Sequence, residues 1–266
     1  AENSDKNLTK LRKIELILLQ DRLFNDKIKL ITIFKLLKGE YFMNKVVDIR
    51  TAIDKIKSGD KVAVGGFGNV GGPMNLLYEL EKHPEINHLT TISEDFQMSE
   101  TPYNQGFTGL LLNGQIDEIV VSFFGHKKAQ AKVDAGEVKL TLIPQGTLAE
   151  RLRAAGAGLG GFYTPTGVGT VVEEGKETKV INGKKYLLEL PLKANVALVK
   201  AYKADRMGNA VFAYTGQNFN TCMATAADIV ILECEKLVEN GEIVPDQVQL
   251  PGVFVDYVVH CEEVRF

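Results

Sequence analysis

"VAVGGFGNVGGPMNLLYEL", residues 62–80, is the stretch on which the fold turns. Val62, Ala63 and Val64 form a short apolar run suited to a buried strand, and Met74, Leu77, Tyr78 and Leu80 recur at helical spacing. Between them Gly66, Gly68 and Gly71 spell a literal G-x-G-x-x-G, and Pro73 suits the first turn of a helix. Two readings of the loop are open. One is a dinucleotide fingerprint, with Glu94 and Asp95 at the end of the next strand placed to meet a ribose. The other is a tight turn from strand to helix that needs positive φ. Against the first, the helix starts after the third glycine, whereas in a dinucleotide fold that glycine lies inside the helix's opening turn. On either reading the loop is expected to offer N–H groups beside a helix N-terminus, where a carboxylate, a phosphate or a developing oxyanion is stabilised.

Outward from this unit, helical periods alternate with short β-branched runs. The pattern predicts helices over 49–57, 73–82, 107–112, 127–135 and 147–155, with strands over 62–64, 89–92, 118–122 and 138–143. Gly114 is placed to end the third helix. Such alternation implies an α/β fold with an open, mostly parallel sheet and helices on both faces. After Gly156 a Gly, Pro and Thr segment, "GAGLGGFYTPTGVGT", is too poor in large apolar residues for a buried element and reads as a structured loop. "KVINGKKYLLEL" reads as a β-hairpin insertion turning at Asn182 and Gly183. Strands over 196–200, 211–213 and 229–233 follow, with a helix over 221–227 before the last.

Composition narrows the function classes. The chain has 266 residues, 45% hydrophobic and 24% charged, as in a globular protein. A formal net charge of −3 argues against nucleic acid as a partner. Cys222, Cys234 and Cys261 show no C-x-x-C spacing, and His83, His88, His126 and His260 no ligand spacing, so no metal and no disulfide framework is expected. Reduced thiols fit a cytoplasmic protein.

Residues 1–42 are rich in Leu, Ile and Lys, with charge interrupting every apolar run, which excludes a membrane span and a secretory signal. Met43 follows, and Lys38, Gly39 and Glu40 are encodable by AAAGGAGAA, a purine-rich ribosome-binding sequence. The expectation is a translated, non-native leader over 1–42 and one domain over 43–266. The alternative is a basic amphipathic extension that docks a partner or a surface.

The glycine stretch gains its meaning beside three others: "IPQGTLAERLRAAGAG", "FYTPTGVGT" and "NFN" at Asn218 to Asn220. Together, from Met43 onward, they resemble the alpha subunit of family I coenzyme A transferases, the acetate, butyrate–acetoacetate and 3-oxoacid type. That resemblance implies transfer of CoA between a short-chain acyl-CoA or 3-oxoacyl-CoA and a carboxylic acid by a ping-pong route. It implies no cofactor besides the CoA thioester as substrate. It also places the nucleophilic glutamate on a separate beta subunit, in a heterotetramer or larger assembly with no membrane partner. Gln145 in "PQGT" matches the family's oxyanion-hole glutamine. Gly66, Phe67, Gly68, Ser93, Glu94 and Asp95 match its substrate-binding positions. Glu94 and Asp95 depart from the Ser-Asn-Asn common in 3-oxoacid transferases. Two acids beside a substrate carboxylate repel it unless one is protonated, paired, or bonded to a hydroxyl or amino group. "VENG" at 238–241 is out of context for the nucleophile, so Glu239 reads as a turn residue. Arg151 and Arg153, with Glu150, read as helix-surface ion pairs. The competing reading is a dinucleotide-binding oxidoreductase. On the leader expectation, mass spectrometry of the native polypeptide finds Met43 first; peptides from 1–42 would overturn it.

Overall fold

The structure is a computed structural model that describes residues 44–68, 70–96 and 106–262. The expectation for residues 1–42 lies outside them. The described chain runs α1 (Ile49–Ile53), β1 (Lys61–Val64), α2 (Met74–Glu81), β2 (Leu89–Ile92), α3 (Phe107–Leu112), β3 (Ile116–Val121), α4 (Lys127–Asp134), β4 (Lys139–Leu142) and α5 (Gln145–Gly156). It continues through β5 (Phe162–Thr164), β6 (Thr178–Ile181), β7 (Lys184–Glu189), β8 (Ala194–Asp205), β9 (Ala210–Val211), α6 (Asn220–Thr225), β10 (Ala227–Val238) and β11 (Tyr257–His260).

The main sheet has the order β11-β10-β8-β1-β2-β3-β4, every neighbouring pair parallel, with β9 antiparallel beside β8. Alternate residues of each strand feed opposite faces. Val62, Val64, Ile119, Val121, Val196 and Leu198 join α1 to α4 in one core layer. Ala63, Val120, Ala197, Val199, Val230 and Leu232 join α5 and α6 in the other. This is the predicted open, mostly parallel sheet with helices on both faces. Leu76, Leu77 and Leu80 of α2 are fully buried, each stabilising by about 1.5–3 kcal/mol as it leaves water. Among the described residues no helix is long and apolar enough to cross a membrane.

The helix expected over 49–57 stops at Ile53, the strand expected over 211–213 is Ala210–Val211, and two further expectations change. β8 and β10 continue past Lys200 and Glu233, charged residues that read as strand ends in the sequence. These two lie opposite each other in the ladder, but Lys200 pairs with Glu235 and Glu233 reaches α2, so both charges are met and strand pairing runs on to Asp205 and Val238. The glycine-rich segment is not wholly loop: Phe162–Thr164 pairs with Leu187–Glu189, making β5 the third strand of a sheet ordered β5-β7-β6. The hairpin turns where expected, with Asn182 and Gly183 both at positive φ. Arg151 donates to the Leu190 carbonyl and pairs with Glu189, tying α5 to the end of β7, while Arg153 pairs with Glu150.

The glycine loop is fixed from outside. Asn220, at 0% exposure, donates from Nδ2 to the carbonyls of Gly71 (2.9 Å) and Gly216 (2.8 Å). Its Oδ1 accepts the Lys200 N–H at 2.9 Å. A Cβ on Gly65 would stand 1.9 Å from that Oδ1, so bare backbone there is a packing requirement. Gly71, at φ +74°, has no room either, since a Cβ would meet Gly216 O at 2.7 Å.

Replacing Asn220 by Ala strands three backbone groups, of which those of the buried Lys200 and Gly216 are worth about 1–3 kcal/mol each when unsatisfied. Denaturant unfolding is expected to show a loss of about 3 kcal/mol or more. Asn220→Asp, which keeps the shape but cannot donate to either carbonyl, is expected to be comparably damaging.

Candidate active site

Because β1 to β4 are adjacent and parallel, their carboxyl ends share one edge, and the predicted site residues gather there. The glycine loop follows β1, Ser93 to Asp95 follow β2, Ser122 follows β3, and Gln145 opens α5 after β4.

Gly66 is buried at φ +113°, where a Cβ would press on the Gly72 backbone at 3.1 Å. Phe67 is exposed and exchanges two backbone hydrogen bonds with Val70, closing the loop on itself. Gly68 donates its N–H to Asp95 Oδ2 at 3.1 Å. Of the donors the loop was expected to offer, those of Gly65, Phe67, Gly68 and Val70 already have partners within the protein. The Ser93 hydroxyl donates to the Asp95 carbonyl at 2.7 Å and shapes the turn after β2.

Glu94 is buried, and its Oε1 accepts from both Ser122 Oγ (2.8 Å) and Gln145 Nε2 (2.7 Å). The Glu94 carbonyl also accepts the Ser122 N–H at 2.9 Å. Asp95 is half-buried, and an isolated bridge joins it to Phe123. Burial, and then the neighbouring Glu94 charge, raise its pKa to about 6, against the pull of the Gly68 N–H. Among the described residues no cationic side chain forms an ion pair with either acid. Gln145 itself is exposed.

Two residues escaped the sequence reading. Ser122 ends the strand predicted over 118–122, so the rule that sites gather at carboxyl ends could have found it. Glu233 lies in β10, yet its carboxylate accepts from Leu76 N–H (3.1 Å) and Asn75 Nδ2 (2.9 Å) at the start of α2. The strand reading gives no sign of this, because the helix belongs to a segment more than 150 residues earlier in the chain. Burial raises the Glu233 pKa, opposed by Asn75 and by the Lys200 charge.

This arrangement removes the dinucleotide reading. The helix N-terminus that would face a pyrophosphate is engaged by Glu233, and the third glycine packs on Gly216 rather than inside a helical turn. Glu239 lies past β10 and pairs with Arg206, consistent with a turn residue. Burial pushes the Cys222 thiol up to about 11 and that of Cys234 up to about 12, so neither is a thiolate nucleophile at neutral pH. Among the described residues no group of His, Cys, Asp or Glu is placed to hold a metal ion.

Comparison with known proteins gives a consistent picture. Residues 46–261 match the family model described as coenzyme A transferase. The chain is 40% identical to the alpha chain of the acetate CoA-transferase of Escherichia coli K12, over 83% of its own length and 99% of that protein's. It is 41% identical to the corresponding chain of the succinyl-CoA:3-ketoacid coenzyme A transferase of Helicobacter pylori J99, covering 83% of this chain and 94% of that one. The fold also resembles an acyl-CoA transferase from E. coli O157:H7, with a TM-score of 0.75 at 22% identity over 84% of this chain, which spans 48% of that enzyme's length. Glutaconate coenzyme A-transferase of Acidaminococcus fermentans gives a TM-score of 0.67 at 21% identity, over 81% of this chain and 75% of that one.

The raised Asp95 pKa has a measurable sign. Below its ordinary value of 3.8 the carboxyl holds its proton folded or unfolded, and no penalty exists. As pH rises through the window up to about 6 the unfolded chain ionises first and stability is lost. Asp95→Asn keeps an acceptor for Gly68 and removes that loss. Its thermal midpoint is expected to exceed the parent's at about pH 7.5, the gap closing as pH falls toward about 4. A gap independent of pH would sink the assignment.

Proposed function

The chain belongs to the coenzyme A transferase family, and from that membership we propose that it supplies half of an active site completed by a beta subunit. The reaction is transfer of CoA between a short-chain acyl-CoA or 3-oxoacyl-CoA and a carboxylic acid. The observation that carries this reading is that the glycine loop meets Asp95 and the Gln145 amide meets Glu94 at one sheet edge.

In the proposed ping-pong route the thioester carbonyl is attacked by a glutamate carboxylate from the beta subunit. Collapse of the tetrahedral adduct breaks the C–S bond and leaves an acyl-glutamyl anhydride and the CoA thiolate. The thiolate then attacks the glutamyl carbonyl, giving a glutamyl-CoA thioester and releasing the first acid; the second acid reverses these steps. CoA is substrate here, and no resident cofactor takes part. Each tetrahedral adduct places negative charge on an oxygen. Gln145 is proposed to donate to it, because one of its two amide N–H groups remains without an acceptor among the described residues once Glu94 has taken the other. Gly66, Phe67 and Gly68 bound the acyl site on the β1 side, with Ser93, Glu94 and Asp95 on the β2 side.

The same edge displays apolar surface. Phe67 is 49% exposed and Phe123 is 54% exposed, and they are linked through Gly68 and Asp95. The beta subunit is proposed to cover these rings, which excludes water from the anhydride.

Transfer from acetoacetyl-CoA to acetate and to butyrate tests the reading. The chain co-expressed with its beta subunit is expected to be active, and the chain alone inactive. In the assembled complex Gln145→Ala is expected to lower kcat by about 10² to 10³, or about 2.7–4 kcal/mol of transition-state stabilisation. Unchanged turnover would remove Gln145 from the oxyanion role.

A further inference from the structure

We infer that Glu94 is a positioning residue, whose carboxylate fixes the orientation of the Gln145 amide and does not itself bind the acyl group. This rests on the oxyanion role proposed for Gln145 and deepens it.

Glu94 is held in place by its surroundings. Its carbonyl takes the Ser122 N–H, its Oε1 takes the Ser122 hydroxyl at 2.8 Å, and the residue is 3% exposed. From that fixed place the same Oε1 accepts Gln145 Nε2 at 2.7 Å. A carboxylate oxygen accepts and does not donate, so the amide must turn its nitrogen and not its oxygen toward Glu94. The reverse orientation would set two acceptors 2.7 Å apart. Gln145 is otherwise an exposed side chain on the first residue of α5, free to rotate without this anchor. Held by Glu94, its second N–H is fixed before substrate arrives, and a fixed donor stabilises an oxyanion without reorganising during the reaction.

The arrangement also explains how an acid is accommodated where the related 3-oxoacid pattern has asparagine. The Glu94 oxygen is occupied by two internal donors, so the side chain is directed into the protein's own hydrogen-bond network. Its ionised state is what makes it an acceptor only. A glutamine with its oxygen at the same place accepts the same two bonds, but its amide can also turn its NH2 there and release that control.

The test is a double-mutant cycle in the chain assembled with its beta subunit; size-exclusion chromatography checks the assembly. Glu94→Ala is expected to lower kcat by about 10- to 100-fold with little change in KM, since a misaligned donor costs rate rather than binding. Glu94→Gln, which accepts the same bonds in one of its two amide orientations, is expected to recover part of the kcat lost in Glu94→Ala; no recovery would overturn the inference. Adding Glu94→Ala to Gln145→Ala is expected to cost nothing further, because the group it positions is already gone. If the two losses multiply, Glu94 acts on the substrate independently and the inference is wrong. It is also wrong if Gln145→Ala is slow and Glu94→Ala keeps full kcat, a result that leaves the oxyanion reading standing. Silence of Gln145→Ala alone is the separate failure of that reading. Should Glu94→Ala not assemble, Ser122→Ala withdraws only the anchor of Glu94. It is expected to give a smaller kcat loss that disappears in the Gln145→Ala background, and full kcat in Ser122→Ala would overturn the inference.

Discussion

Asn220 lays its carboxamide against the glycine loop, and an amide has one orientation in which its oxygen meets the Lys200 N–H and its nitrogen meets the carbonyls of Gly71 and Gly216. Three chain segments are joined at a point closed to water, where an unmade hydrogen bond has no replacement. Gly65 must then be glycine, because a side chain would occupy the space of the amide. The path of the loop after β1 is therefore set by α6 and β8, elements well over a hundred residues later in the chain.

From that fixed loop the rest of the site follows as an allocation of donors. Asp95 takes the Gly68 N–H, and Glu233 takes the Leu76 N–H at the start of α2. Internal carboxylates thus occupy positions where a nucleotide phosphate would otherwise sit, and a loop with the letters of a dinucleotide fingerprint lacks its function. Gln145 retains one amide N–H without an acceptor among the described residues, and the reaction proposed above calls for a donor at that edge. At the proposed acyl site Glu94 is engaged by Ser122 and Gln145, whereas burial, and then the neighbouring Glu94 charge, raises the Asp95 pKa.

Much of the architecture was legible in the sequence. The strand over 89–92 and the helix over 107–112 stand where hydrophobic periodicity put them, since both bury one face of a regular element. The Asn182–Gly183 turn was equally readable, because two adjacent residues at positive φ need that pair. The true lengths of β8 and β10 were not, since Lys200 and Glu233 look like strand ends until Glu235 and the start of α2 are seen to meet their charges. β5 was missed for a similar reason: a three-residue strand has no period of its own and exists only through its pairing with β7.

The candidate site residues were named through the family resemblance, while the sequence's own pattern determined the alternation of strands and helices and the edge on which the strands' carboxyl ends meet. These follow from local rules, namely side-chain period, turn chemistry and the parallel direction that helical crossovers impose. Only the tertiary structure decided which donors at that edge are spent and which remain. A hydrogen bond between Gln145 and Glu94, or between Glu233 and Leu76, depends on two groups arriving within 3.1 Å from distant parts of the chain, and no local pattern encodes that meeting.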